Sequence, residues 1–161
     1  MKILIVRIGA LGDVLHTLPV VMALRAARPE AEIHWLAAPG PARLLDAHPA
    51  VDRIVLLRRS FAGYRAAWRE IRGAYDWAID TQGLLKSAFM ARSASARVIG
   101  RAPGYARERL ASRFYSHPVV PRGDHVIDQN LSLLAPLSIL AKKIEYGLTF
   151  PRVDWPLLDS R

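Results

Sequence analysis

A single carboxylate stands where it could take a proton from a bound hydroxyl. Asp13 closes the turn Gly9-Ala10-Leu11-Gly12-Asp13, directly behind an apolar run that ends at Arg7. A side chain there lies at the start of a helix, where the helix dipole favours negative charge. General-base chemistry needs such a placement; spacing alone is as well served by the plainer role of a helix cap. The turn follows its strand as a phosphate-binding turn would, yet it lacks the third glycine of the dinucleotide fingerprint and the Lys-Ser or Lys-Thr of a Walker loop. Neither NAD nor a P-loop nucleotide is expected. A second polar loop, Asp80-Thr81-Gln82-Gly83, precedes Lys86 and Ser87. Those two residues begin a helix, so they suit either an anion or a cap. His16 reads as a packed, hydrogen-bonded residue rather than a second base. Asp76 and Asp80 share one face of a strand, but no third ligand completes a metal site.

These residues must be held by a frame, and the frame is legible. Apolar β-type runs alternate with helical periodicity, the signature of repeated βα units and a parallel sheet. Strands are expected at Lys2–Arg7, Glu32–Ala37, Arg53–Leu57, Tyr75–Asp80 and Ala96–Ile99. Helices are expected up to Arg28 with Thr17 as cap and Pro19 in the first turn, near Ala42–Ala47, at Ala62–Arg72 and at Leu84–Arg92. Beyond them Arg107–Tyr115 reads as helical, Pro118–Pro121 as extended, and His125–Ala141 as an apolar segment that Pro136 interrupts. Trp35, Trp68 and Trp77 read as core. Five strands so interleaved predict a doubly wound α/β sheet, whose ligands bind beyond the carboxyl ends of the strands. The crevice would be lined by the 7–13 and 80–86 loops. One domain is expected over 1–141, and 142–161 reads as a connector or tail.

Composition narrows the partners. The chain of 161 residues is 52% hydrophobic, has no cysteine, and carries a formal charge of +9. Disulfides and thiolate metal sites are thereby excluded. No apolar run approaches the roughly 20 residues of a membrane-spanning helix, and no secretory leader is evident, so a cytoplasmic location is expected. Only Lys2, Lys86, Lys142 and Lys143 among the 23 cations are lysines. Arginine's planar fork pairs with phosphate and carboxylate, which suits nucleic acid, an anionic membrane surface or an anionic glycolipid; genomic base composition would enrich arginine equally well.

Particular motifs go further. The stretch RIGALGDVLHTLP at residues 7–19 resembles the N-terminal motif of the ADP-heptose:lipopolysaccharide heptosyltransferases. Residues 80–87, DTQGLLKS, are similar to the Asp-x-Gln-Gly-Leu-x-Lys-Ser segment of that family, and residues 106–115, ARERLASRFY, to its Ala-Arg-Glu-x-Leu-Ala-Ser region. His125 with Asp128, and the basic pair Arg58-Arg59, complete the likeness. The His-Thr-Leu-Pro and Gln-Gly-Leu elements favour the branch that adds the first heptose. The resemblance implies a Rossmann-like fold, the N-terminal domain of a two-domain GT-B glycosyltransferase. It implies Asp13 as the base acting on a hydroxyl of Kdo, the acceptor sugar on lipid A, with inversion at the heptose. By the same resemblance Arg7, where the family usually carries Lys, Arg58, Arg59, Lys86 and Arg107 bind the acceptor's carboxylates and phosphates. Gly9, Gly12, Gln82 and Gly83 form the cleft loops. No cofactor or metal is implied. The donor ADP-heptose would be held mainly by a C-terminal half absent from this sequence, so the chain alone is expected to be inactive. Partners would be Kdo-lipid A and the inner-membrane surface, met from the cytoplasmic side. Two other readings remain: a receiver-like or flavodoxin-like single domain, and a basic nucleic-acid-binding module, for which no signature motif is found.

Overall fold

The computed structural model describes residues 1–141 and 143–148. Six parallel strands form its sheet: β1 (Lys2–Val6), β2 (Glu32–Ala37), β3 (Arg53–Leu56), β4 (Trp77–Asp80), β5 (Val98–Arg101) and β6 (His117–Val119). Their order across the sheet is β3-β2-β1-β4-β5-β6. Winding therefore proceeds outward from β1 in both directions, and the switch point lies between β1 and β4. That order is the Rossmann one. A receiver-like or flavodoxin-like sheet, with β1 between β2 and β3, is ruled out.

The period-two alternation of β1 sorts its residues between two layers. Ile3 and Ile5 face α2 (Leu18–Ala27) and the 3-10 segment Ser132–Leu137, packing on Leu18, Val21, Leu24, Leu133 and Leu134. Leu4 and Val6 face α4 (Phe61–Ile71) and α5 (Leu85–Ala94), packing with Ala67, Ile71, Ala88 and Ala91. Ile3 to Val6 are completely buried on both faces, as the apolar stretch of a central strand requires.

The first five strands fall where expected, within two residues. The sixth was not foreseen as a strand: β6 has only three residues and contains Pro118, which an edge strand tolerates because the proline's missing N–H need pair with nothing. Between β1 and α2 the chain forms a further short helix, α1 (Leu11–Leu15), and breaks at His16 and Thr17. Pro19 explains the break, since it has no N–H to offer the carbonyl four residues back. Thr17 holds the N-cap position of α2 without capping it; its hydroxyl donates instead to the Asp13 carbonyl at 2.9 Å.

The helix expected near Ala42–Ala47 is shorter and earlier, α3 (Pro39–Ala42) followed by a 3-10 turn at Arg43–Leu45. Arg109–Phe114 is 3-10 rather than α-helical. In the last apolar segment α6 (Val126–Leu131) tightens into 3-10 geometry at Ser132–Leu137, and Pro136 sits inside that final stretch. Most of the connector expected at 142–161 lies outside the described residues. No described helix is long and apolar enough to cross a membrane.

Candidate active site

The carboxyl ends of β1, β4 and β5 converge at the switch point, and the polar residues they carry form one network. Arg7 leaves β1 with only 4% of its surface exposed. Its Nη1 donates to the Thr81 carbonyl at 2.6 Å, and its Nη2 pairs with Asp13 Oδ2 at 2.6 Å. Burial pulls the Arg7 guanidinium below its ordinary pKa, and the Asp13 carboxylate works against that shift. From the other side Arg107 Nη1 approaches the same Oδ2 at 3.8 Å, with its side chain 60% exposed. Asp13 keeps 31% of its side chain open. It is thus fixed by a buried cation, flanked by an exposed one, and reachable from solvent.

Asp13 does not cap a helix. It lies in the first turn of α1, and the N-cap position is Ala10, with no side-chain hydrogen bond. A five-residue helix also has little dipole to offer, so the guanidinium groups supply the positive field. Gly12 lies within α1 rather than in the turn, exposed and with open space around it, while Gly9 packs near Pro41. His16 is half-buried, and its ring makes no hydrogen bond among the described residues; it stands edge-on to the His125 ring at 5.9 Å. The hydrogen bond expected of it is made by its carbonyl, which accepts from Asn130 Nδ2 at 3.0 Å.

The second loop is tied to the first. Gln82 Oε1 accepts from the Ile8 amide at 2.7 Å, so this side chain fastens the β4 loop to the β1 loop. Asp80 is wholly buried and accepts four hydrogen bonds: from the Gln82 and Gly83 amides at 2.9 and 3.2 Å, and from Ser87 Oγ and Tyr115 Oη at 2.8 Å each. Burial pushes its carboxyl pKa up, and those donors pull against the shift. Burial beside Asp80 likewise pushes the Tyr115 phenol up. The Tyr115 ring lies where a Cβ on Gly100 would stand, 2.4 Å from its nearest atom, so only glycine lets the phenol reach Asp80. Gly83 has φ +71°, and a Cβ there would lie 3.1 Å from the Arg107 amide. The closeness of that approach sets Arg107 beside Asp13.

Lys86, Arg58 and Arg59 do not join this cluster. Lys86 is exposed and lines a groove between α4 and α5. The anion site considered for the start of α5 is filled from within: the Leu84 amide donates to Ser87 Oγ at 3.1 Å and the Leu85 amide to Glu108 Oε2 at 2.5 Å. Arg58 and Arg59 follow β3, exposed, and border a cavity of about 460 Å³ with Ala38 and the start of α3. Trp35 is core, and its indole N–H donates to the Arg7 carbonyl at 3.0 Å. Trp68 and Trp77 are only partly buried, and Trp68 lines the α4–α5 groove, where a packed core had been expected.

Arg101 escaped the sequence reading. It ends β5 at 8% exposure, donates from Nη2 to Asn130 Oδ1 at 2.9 Å, and leaves its Nε without a partner, as Arg7 does. The expected strand stopped at Ile99; extending it by two residues would have placed a second arginine at the switch point. Among the described residues no group of three or more His, Asp or Glu side chains could hold a metal ion.

The doubly wound sheet is shared with solved sugar-transferring enzymes. The fold superposes on the Escherichia coli heptosyltransferase WaaC solved with ADP-2-deoxy-2-fluoro heptose, with a TM-score of 0.81 and 29% identity, covering 91% of this chain and 52% of that one. The same enzyme solved with ADP gives a TM-score of 0.82 over 51% of its chain. The fold is that of a Rossmann-like domain of a GT-B glycosyltransferase. In sequence the chain is 36% identical to lipopolysaccharide heptosyltransferase 1 of Pseudomonas aeruginosa, over 84% of this chain and 42% of that protein. It is 35% identical to the Escherichia coli heptosyltransferase 1, over 98% of this chain and 52% of that protein. Residues 64–155 match the model of glycosyltransferase family 9 (heptosyltransferase), and the chain belongs to that family. It spans about half the length of the relatives it matches.

Proposed function

We propose that this chain forms the acceptor side and supplies the base of an enzyme that transfers L-glycero-D-manno-heptose from ADP-heptose to Kdo of the lipopolysaccharide inner core. The observation that carries the reading is the Asp13 carboxylate, anchored by buried Arg7 at 2.6 Å and still 31% open at the switch point. Asp13 accepts the proton of a Kdo hydroxyl as that oxygen attacks the anomeric carbon of the heptose. ADP leaves from the opposite face, and the configuration inverts. Arg7 keeps the carboxylate aimed, while Arg107, exposed and near the base, is placed to pair with the Kdo carboxylate. Arg58, Arg59 and Lys86 stand further out, where they would meet the phosphates of lipid A at the cytoplasmic face of the inner membrane. A carboxylate base of this kind contributes ~10²–10⁴-fold to rate. The donor is held mainly by residues beyond this chain, so the chain alone binds acceptor without turnover.

Calorimetric titration tests the division of labour. The chain should bind a soluble Kdo-containing lipid A analogue, bind it more weakly as Arg58→Ala or Arg107→Ala, and take up little ADP-heptose. Tight ADP-heptose binding with no response to the acceptor would overturn the reading.

A further inference from the structure

The chemistry at Asp13 makes no use of Arg101, yet the sheet brings this residue to the same place. Strand β1 pairs with β4 so that Val6 lies opposite Asp80, and β4 pairs with β5 so that Ile79 lies opposite Ile99. Carried to the strand ends, that register sets Arg7, Thr81 and Arg101 in one row. Side chains alternate along a strand, so Arg7 and Arg101 project to the face of Ile5 and Ile99, the face covered by α2 and the 3-10 segment Ser132–Leu137. Asp80 points to the other face, toward Ser87 and Tyr115. Two buried guanidinium groups therefore stand on one side of the switch point.

Their partners differ. Arg7 is paired with Asp13 at 2.6 Å. Arg101 pairs with no carboxylate among the described residues. Its side-chain hydrogen bond there runs from Nη2 to the neutral Asn130 side chain, and Nη1 makes none. A buried cation without a counter-charge is costly. Burial pulls the Arg101 guanidinium below its ordinary pKa; the charges of Asp80 and Asp13 oppose that shift, and Arg107 adds to it. Asn130 is itself tied down, its Nδ2 donating to the His16 carbonyl at 3.0 Å, so the guanidinium is held in place before any ligand arrives. A fixed guanidinium recessed at 8% exposure is preorganised for a small anionic group that reaches in.

We infer that Arg101 is a carboxylate receptor in the crevice, sharing with Arg107 the carboxylate of the acceptor sugar whose hydroxyl meets Asp13. In the proposed displacement ADP leaves from the face opposite the attacking oxygen, so an anion on the base's side travels with the acceptor. The acceptor's phosphates belong to lipid A, whereas the carboxylate belongs to the sugar that reacts. Arg101 then selects an acidic sugar over a neutral one and turns its hydroxyl toward the base.

The inference rests on the proposed function for the identity of the sugar, and two measurements on this chain separate the readings. The buried Nε–H of Arg101 gives a nitrogen-resolved NMR signal, assigned by its loss in Arg101→Lys. That signal should move on adding sodium acetate and stay still in sodium chloride of equal ionic strength. Calorimetry then compares the Kdo-containing lipid A analogue with the same analogue carrying a carboxamide in place of the Kdo carboxylate. Arg101→Gln, whose folding is checked by thermal unfolding, should cut the preference for carboxylate over carboxamide about tenfold or more, and Arg101→Lys should restore part of it. A purely structural role would weaken both analogues equally. An Arg101 signal that ignores acetate, a preference that survives Arg101→Gln, or equal loss of both analogues would overturn the inference. A parent chain that binds neither analogue would sink the proposed acceptor, while acetate still decides whether Arg101 receives a carboxylate.

Discussion

The Arg7–Asp13 pair should be energetically coupled, and a double-mutant cycle measures the coupling directly. Arg7→Met keeps the bulk of the buried stem and removes the guanidinium; Asp13→Asn removes the charge at the other end. Two unit charges about 4 Å apart attract by roughly 4 kcal/mol at the effective dielectric of a protein surface, whereas exposed pairs are worth about 0–1 kcal/mol. Here one partner is 4% exposed and the other 31% by side chain, so the pair falls between those limits. A coupling of about 2 kcal/mol is expected. Arg7→Met alone should cost somewhat more, about 2–3 kcal/mol, because it also strips the Thr81 carbonyl of its charged donor. Removing an Arg7 Nε that has no partner offsets part of that cost. Urea unfolding of the parent, both single variants and the double variant gives the four free energies, with unchanged m values as the check that the unfolded states are comparable. A coupling below about 0.5 kcal/mol would refute the view that Arg7 fixes the carboxylate, since contacting residues normally couple by at least that much.

Two further outcomes follow from the same network and from the histidines. Tyr115→Phe removes one of four donors to a fully buried carboxylate and should lower stability by about 1.5–3 kcal/mol in urea unfolding; an unchanged midpoint would show that Asp80 does not depend on the phenol. His34 and His48 are buried, and burial holds both below the ordinary value of 6.5. Each favours its neutral form in the fold, so the stability they contribute is present above about pH 6.5 and is lost as pH falls below it. Thermal unfolding from pH 7.5 down to 5 should show that decline, weakened in His48→Gln; a flat profile would contradict it.

How much of this could be read from the residues differs from element to element. Strands β1, β2, β4 and β5 announced themselves because parallel strands buried on both faces leave continuous apolar runs, while β3, at the sheet edge with Leu56 exposed, was legible from its Ile-Val-Leu run alone. Strand β6 did not, because three residues around a proline carry no period. The turn and its carboxylate were legible in the spacing of Gly9 and Asp13, and the family motifs singled out Gln82, Gly83 and Arg107. What those residues do to one another was not legible. Gln82 reaches an amide 74 positions away, and Glu108 closes the start of α5 across 23 positions. Such partnerships are tertiary, and no local pattern encodes them. Arg101 was missed for the opposite reason: its signal was local, but a charged residue at a strand end reads as the strand's termination. Trp68 reads as core and does pack against it, but the stripe it shares with Phe61 and Tyr64 also lines an exposed groove, which helical spacing does not distinguish.

Strand β1 is made first and lies in the middle of the finished sheet. Its Arg7 cannot meet Thr81 until 74 more residues have been added, which at about 5–20 residues per second takes roughly 4–15 s on the ribosome. Strand β2 arrives early and covers one side of β1, but the side destined for β4 stays open throughout that interval. The nascent chain therefore carries an unpaired apolar strand edge with a guanidinium at its end. That charge, later the partner of the Asp13 carboxylate, discourages edge-to-edge pairing with other chains while synthesis is under way.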